Sequence, residues 1–529
     1  MRRLLHEGPI VIDARPRRVL RLVLLAAATA LTVMAGEMAL RIVDGYALSS
    51  LRLVAKPGAR TDARSAGGKW LDPAQAAVYV HGLPVASGVE RSWYELDPAP
   101  PREMPIDPEI NRRYWADAGY LPAGYEWNVR FLTAVVCDPQ RYAHPFLSSR
   151  ERRPRDVFAF EPIDRSAYPT YRFLRNRRYP SGLVTNRFGW RGPDVTLNKP
   201  AGRVRLAFVG ASTTVGAHDD PFSYPEYIGR WLEVWSAARH SSVTFDVVNA
   251  GREGITSRSI AAIVDKEVAP VRPDLVVYYE GSNEFWPNAF VPRPLMRVVQ
   301  TMGVVSAVEQ YSTTAIRIRR ALAARNRGHE PAKPPLPVRW PADLSETSPS
   351  LADSRLPVAL PEILSNLDRI RAAIAPHRGT LIPSSFVWLV YPEMVLEPSR
   401  DASLYQYLNG YYWPFSYAHL RRYADFQNRV FAKYAAAHDL PFNDLASVYP
   451  RDPRLFTDAI HTTAAGTKLK AWLVFQQLVP EIERRLADGR LPVADPGGRA
   501  AHPAFADEPR LVQLDDVRRQ CGTSDGASQ

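Results

Sequence analysis

Cysteine is nearly absent: Cys137 and Cys521 are the two in a chain of 529 residues. Two cysteines exclude a disulfide framework and a cysteine-based zinc site, and leave room for one disulfide between them. Internal repeats are lacking, and no nucleic-acid-binding module is present. The formal net charge of +12 is therefore not read as a nucleic-acid footprint. The excess is mostly arginine, part of it at the N-terminus and part in residues 150–178, where arginines are interleaved with aromatics. Such a stripe either suits anionic glycans and acidic lipid heads or forms a solvated face.

Long apolar runs are scarce too. One stands out, Leu22–Gly36, extended by Ala39, Leu40 and Ile42 and interrupted by Glu37 and Arg41. The run is short for a span, which takes about 20 residues. Arg2, Arg3, Arg15, Arg17, Arg18 and Arg21 precede it, which predicts a cytoplasmic N-terminus. Two readings follow: a signal anchor, or a cleaved signal peptide with Val33-Met-Ala35 as its small-residue site. The long preceding segment favours the anchor. Either way the remaining chain is exported, beyond the reach of ATP and most cytosolic cofactors, and no cofactor is expected.

What is present falls into blocks. Residues 1–44 read as a cytoplasmic N-terminus and signal anchor, and residues 45–200, rich in Pro, Arg, Tyr and Trp, as an irregular β-rich region. Within it the apolar runs Ala77–Val80 and Val129–Val136 suggest strands. Residues 183–193 suggest a hairpin, turned by Gly189 and Gly192-Pro193 and anchored through Asn186, Trp190 and Arg191. From Arg203 the pattern changes. Val204–Val209, Val243–Val248 and Leu275–Tyr279 are short apolar runs fit for buried parallel strands. Pro225–Ala238 and Ser259–Val268 have helical spacing between them. The alternation predicts right-handed βαβ units and a parallel sheet over residues 203–487. An insertion over about 285–356 carries a helix, Val304–Ala324, and a Pro-rich linker. Leu360–Ile374 is helical again, a fourth strand lies within Leu381–Tyr391, and Ala418–His438 and Ala465–Ala487 are amphipathic helices. Residues 488–529 read as a disordered tail.

Four chemistry-bearing segments fall at the ends of this sheet. Ser212 follows the first strand, Gly254 the second and Asn283 the third, while Asp458 and His461 precede the last long helix. Ligands of open α/β sheets bind beyond the carboxyl ends of the strands. Ser212 is placed to attack an ester carbonyl, His461 to take its proton, and Asp458 to hold the imidazole in the useful tautomer. The oxyanion needs preorganised donors, and the backbone N–H groups of Ser212 and Gly254 and the amide of Asn283 suit that role.

This set resembles the SGNH (GDSL-type) hydrolase superfamily, named for its Ser, Gly, Asn and His, here Ser212, Gly254, Asn283 and His461. Asp458 stands in the family's Asp-x-x-His motif. The resemblance covers about residues 203–487 and implies a three-layer α/β/α fold with ester hydrolysis or acyl transfer. Two departures are visible: Gly-Asp-Ser is Gly210-Ala211-Ser212 here, and Gly-x-Asn-Asp is Gly281-Ser282-Asn283-Glu284. An exported domain of this type behind an anchor resembles bacterial envelope proteins that remove or add acetyl groups on polysaccharides. The resemblance thus implies a periplasmic serine esterase held in the inner membrane by one helix, acting on an acylated glycan beside envelope polysaccharide machinery. An O-acetyltransferase and a non-catalytic glycan-binding protein are the alternatives. An α/β-hydrolase has the same triad order but expects Gly-x-Ser-x-Gly, and position 214 is Thr.

Other segments read more plainly. His218-Asp219-Asp220 is a solvated loop rather than a metal site. Arg252 and Glu253 suggest a local ion pair, and Glu284 either braces Asn283 or ends its loop. Tyr405–Trp413 is an aromatic loop, a sugar-stacking platform or packing over the crevice.

Overall fold

The computed structural model describes residues 15–43, 71, 73–103, 183–216, 222–252, 255–285, 343–390 and 417–493, with shorter stretches within 48–51, 125–128, 156–160, 171–178, 312–318, 340–341 and 510–513 and single residues at 394 and 503. Two compact units result. One comprises Met1–Asp62 with Ser306–Arg327; the other holds the rest of the chain.

In the first unit, helix α1 runs from Arg15 to Val43. Its Leu24–Val43 portion is long and apolar enough to cross a membrane. Glu37 interrupts that stretch, yet its carboxylate accepts from the N–H groups of Thr313 and Thr314 at 2.6 and 3.0 Å. The hydroxyls of Ser312 and Thr314 add bonds of 3.0 and 2.7 Å, and Arg41 pairs with it at 3.1 Å. Part of the insertion expected over 285–356 therefore belongs with α1. Thr313, Thr314, Arg317 and Ile318 are helical, within the helix expected over Val304–Ala324.

In the second unit, helix α2 covers Pro73–His81 and includes Ala77–Val80, which the sequence suggested as a strand. Proline at the first helical position starts the helix. Ala76 and Val80, four residues apart, are buried on one face, so 3.6-residue periodicity overrides the local β-branched character. The Val129–Val136 run lies outside the described residues. Strands β1 (Tyr125–Asn128), β2 (Asp156–Phe160) and β3 (Tyr171–Phe173) join a small sheet whose fourth member is β8 (Arg510–Gln513), in the order β3-β1-β2-β8. The C-terminal stretch is thus not wholly irregular: Arg510–Gln513 pairs antiparallel with β2. A four-residue segment with no core of its own gains order from a partner strand, which local composition cannot reveal.

The larger sheet is parallel throughout, in the order β5-β4-β6-β7, where β4 is Arg203–Gly210, β5 Thr244–Asn249, β6 Leu275–Tyr279 and β7 Thr380–Pro383. Its central strands read as continuous apolar runs because both faces are covered. Val204, Leu206, Ala207, Phe208 and Val209 are all buried. The helices are α3 (Ser212–Val215), α4 (Tyr224–Ala238), α5 (Ser257–Ile263, continued by a π turn to Val268), α6 (Leu360–Ile374), α7 (Tyr417–Ala437), α8 (Leu445–Val448) and α9 (Ala464–Ala487). Helix α4 packs on β5 and α9, α5 on α6, and α7 on β7. This is the α/β/α arrangement expected from the sequence.

Trp231 of α4 is the centre of one layer, edge-on to Trp472 at 5.1 Å and stacked on Tyr227 at 5.6 Å and Tyr94 at 6.2 Å. Its indole donates to Leu96 O at 3.2 Å, so the 91–97 segment seals the α4–α9 seam. At the opposite end of the strands from Ser212, Arg205 is fully buried, paired with Asp246 at 2.8 Å and donating to Thr196 O at 2.7 Å.

Candidate active site

Strand β4 ends at Gly210, and the chain turns at once into α3, which begins with Ser212. The turn is tight enough that a Cβ on Gly210 would collide with both Thr214 Oγ1 and Tyr279 O. Glycine is required there by close approach, and Thr214 Oγ1 uses that space to donate to Tyr279 O at 3.2 Å. Helix α3 has only four residues and is held from outside. The Asn249 amide donates to Thr214 O at 3.0 Å and to Ser223 Oγ at 3.1 Å. Lys470, on α9, donates to Thr213 O at 2.8 Å. Arg191 donates to Val215 O at 3.1 Å and to Gly216 O while pairing with Glu226 at 2.9 Å. Arg191 was expected to anchor the hairpin; it also fastens the end of the serine turn.

The 457–463 loop is shaped by its own aspartate. Asp458 Oδ1 accepts the N–H groups of Ile460 and His461 at 2.9 and 2.7 Å, and Thr457 N–H closes the loop on His461 O at 2.8 Å. Asp458 Oδ2 then lies 2.6 Å from His461 Nδ1, and His461 Nε2 lies 2.7 Å from Ser212 Oγ. With Nδ1–H donating to the carboxylate, Nε2 is free to accept from the serine hydroxyl, a tautomer assigned from this network. Burial pushes the Asp458 carboxyl up, but the neighbouring imidazole and the hydrogen bonds outweigh it and hold the group below the usual aspartate value. Ser212 is 8% exposed, so the hydroxyl is shielded but reachable.

The Asn283 amide donates one N–H to Ile255 O at 2.7 Å. The Ser212 N–H heads α3 and has no acceptor within the helix. Gly254, the third expected oxyanion donor, lies outside the described residues, as do Glu253, His218-Asp219-Asp220, Tyr405–Trp413 and both cysteines. Among the described residues no group of His, Cys, Asp or Glu is arranged to hold a metal ion. Arg252 pairs with the buried Glu267, fifteen residues on. Glu284 accepts the Ser257 N–H at the start of α5, while Glu280 accepts the Asn283 N–H at 2.8 Å. The brace on Asn283 is thus Glu280, which the sequence analysis did not single out.

The arrangement can move a proton from a serine hydroxyl to an imidazole backed by a carboxylate. Residues 208–469 match the family model described as GDSL-like Lipase/Acylhydrolase family. No curated protein matches by sequence. Among solved structures, a catalytic mutant of Axe2, an acetylxylan esterase from Geobacillus stearothermophilus, is similar at 15% identity and a TM-score of 0.29, covering 53% of this chain and 94% of its own. A GDSL-like lipase from Bacteroides thetaiotaomicron gives 12% identity and a TM-score of 0.26, covering 53% of this chain and 88% of its own. The acetyl xylan esterase AlAXEase gives 11% and 0.29, covering 53% and 100%.

Proposed function

Since residues 208–469 belong to the GDSL-like lipase/acylhydrolase family and the chain is a carboxylic ester hydrolase, we propose that it is an extracytoplasmic serine esterase removing O-acyl groups, acetyl above all, from an envelope polysaccharide. The observation that carries the catalytic part is the unbroken chain Ser212 Oγ–His461 Nε2–His461 Nδ1–Asp458 Oδ2, with links of 2.7 and 2.6 Å.

In this reading Ser212 Oγ attacks the ester carbonyl while its proton passes to His461 Nε2. The carbonyl oxygen gains the negative charge and is met by the N–H groups of Ser212 and Gly254 and the Asn283 amide; losing one such donor typically costs about 3–4 kcal/mol. Collapse breaks the bond to the alcohol oxygen, which leaves with the proton from His461. Water then repeats the sequence on the acyl-serine, releasing the acid and restoring the hydroxyl. Asp458 stays ionised throughout and stabilises the imidazolium.

The location rests on α1. Arg15, Arg17, Arg18 and Arg21 precede the apolar Leu24–Val43 portion, an asymmetry that orients a single span with its N-terminus in the cytoplasm. Ester hydrolysis needs only water, which suits a compartment without ATP.

The test uses full-length protein with 4-nitrophenyl acetate, O-acetylated polysaccharide and a fluorophosphonate probe. Wild type should release acetate from the polymer and label on the probe, and Ser212→Ala should do neither. Equal labelling of both proteins would reject Ser212 as nucleophile. Transfer of acetyl to an oligosaccharide acceptor in preference to water would replace the hydrolase by a transferase.

A further inference from the structure

We propose that Glu280 and Glu284 are positioning residues for the oxyanion arm: Glu280 fixes the backbone that carries Asn283, and Glu284 ties that arm to the start of α5. The proposal rests on the ester-hydrolase reading. Glu280 ends the run of β6, fully buried. Its Oε1 accepts the N–H groups of Ser282 and Asn283, both at 2.8 Å, and the Ser282 hydroxyl at 3.3 Å. The Gly281–Asn283 turn is wrapped around one carboxylate oxygen, which sets the direction in which the Asn283 amide leaves the backbone. The turn cannot relax sideways, since a Cβ on Gly281 would lie 2.5 Å from Gln427 Oε1 and 2.9 Å from the Phe386 Cβ.

Glu284 reaches the other way. It accepts the Ser257 N–H at the first turn of α5. Two residues further back, Ile255 O accepts from Asn283. Two bonds thus join the Asn283 arm to the segment that follows Gly254.

Burial raises both carboxyls. Each keeps its Oε2 buried with no hydrogen-bond partner among the described residues. Burial, and then the Glu280 charge, push Glu284 up to about 8. Among the described residues the groups facing the pair are Tyr278 on β6, Ser257 on α5, and Glu362 and Asn366 on α6, and Glu362 is engaged with Arg258 at the surface. Near neutral pH Glu284 therefore holds its proton, while burial also raises the Glu280 carboxyl, whose Oε1 remains the acceptor for the turn. Losing that proton places a negative charge behind the arm that must meet an oxyanion.

The experiment is kcat and KM of the full-length enzyme on 4-nitrophenyl acetate from about pH 6 to 9.5, with fluorophosphonate labelling in parallel. Glu280→Gln should lower kcat by about 10-fold or more with KM within about twofold, the pattern of a contact felt only in the transition state. Glu284→Gln should abolish the fall of kcat near pH 8, whatever its plateau. Wild-type kcat in Glu280→Gln, or an unchanged alkaline fall in Glu284→Gln, overturns the proposal. A Glu280→Gln protein that does not fold leaves the Glu284→Gln profile to decide. A wild type inert to both substrate and probe fails the esterase reading and this one with it; an active wild type with unaltered variants fails this one alone.

Discussion

Lys470 reaches beneath the Ser212 turn and donates to the carbonyl oxygen of Thr213, the residue next to Ser212, at 2.8 Å. Its ammonium is buried between the rings of Tyr224 and Tyr279, at 4.7 and 5.2 Å from their centroids. A charged donor to a buried carbonyl is worth about 1.5–3 kcal/mol. Lys470→Met should lower unfolding free energy by that amount in urea titrations. It should also reduce kcat by about 10-fold or more as the turn loosens. Unchanged values for both would show the contact to be idle.

Asp458 supplies a pH dependence of definite sign. Its carboxyl is held below the usual value in the folded protein, so the stabilisation is complete above the unfolded pKa of about 3.9 and fades as pH falls through the lower folded value. The stability gap between wild type and Asp458→Asn should therefore shrink on acidification below about pH 4. At neutral pH Asp458→Asn should lose roughly 10³–10⁴-fold in kcat, because the amide favours the wrong imidazole tautomer. Calorimetry across pH and steady-state rates check the two halves separately.

Gly210 is confined by atoms that cannot retreat, the backbone oxygen of Tyr279 among them, and an added methyl group would overlap it. Gly210→Ala should cost about 3 kcal/mol or more, since backbone rather than a flexible side chain must move. A melting temperature within a degree or so of wild type would show that β4 can shift against β6.

Arg191 and Glu226 form a nearly buried pair, 4% and 11% exposed at their side chains. Removing one partner of such a pair costs about 3–5 kcal/mol, because the other charge is left uncompensated. Arg191→Met should fall in that range, and adding Glu226→Gln should recover about 1 kcal/mol or more. Simple additivity in the double-mutant cycle would deny the coupling.

Much of the fold was legible because buried parallel strands write themselves as unbroken apolar runs. Val204–Val209 predicted β4, observed as Arg203–Gly210, and Leu275–Tyr279 matched β6 at both ends. The fourth strand proved shorter than its apolar run. It stops at Pro383, after which Ser385 N–H bonds to Asn443 O and Leu389 N–H to Ala459 O, carrying the chain to the aspartate–histidine loop. Ser212, Asp458, His461 and Asn283 could be picked out because their spacing and strand-end placement are local signals. Lys470 and Glu280 could not. A lysine in an amphipathic helix reads as solvated until the packing of α9 against the nucleophile turn is known. A glutamate after Tyr-Tyr reads as the polar end of a strand until the next turn is seen to fold back onto it.

Glu37 and Thr313 meet across 276 residues of chain. At about 5–20 residues per second, the acceptor waits roughly 14–55 s on the ribosome's clock before its donors exist. During that interval Arg41 is the partner beside the carboxylate among the described residues of that part of the chain. The partnership is then completed by a segment made after the Ser212 turn and the Asn283 arm but before the Asp458–His461 loop. Synthesis is thus ordered: the partner segment of the helix exists before Asp458 and His461 do.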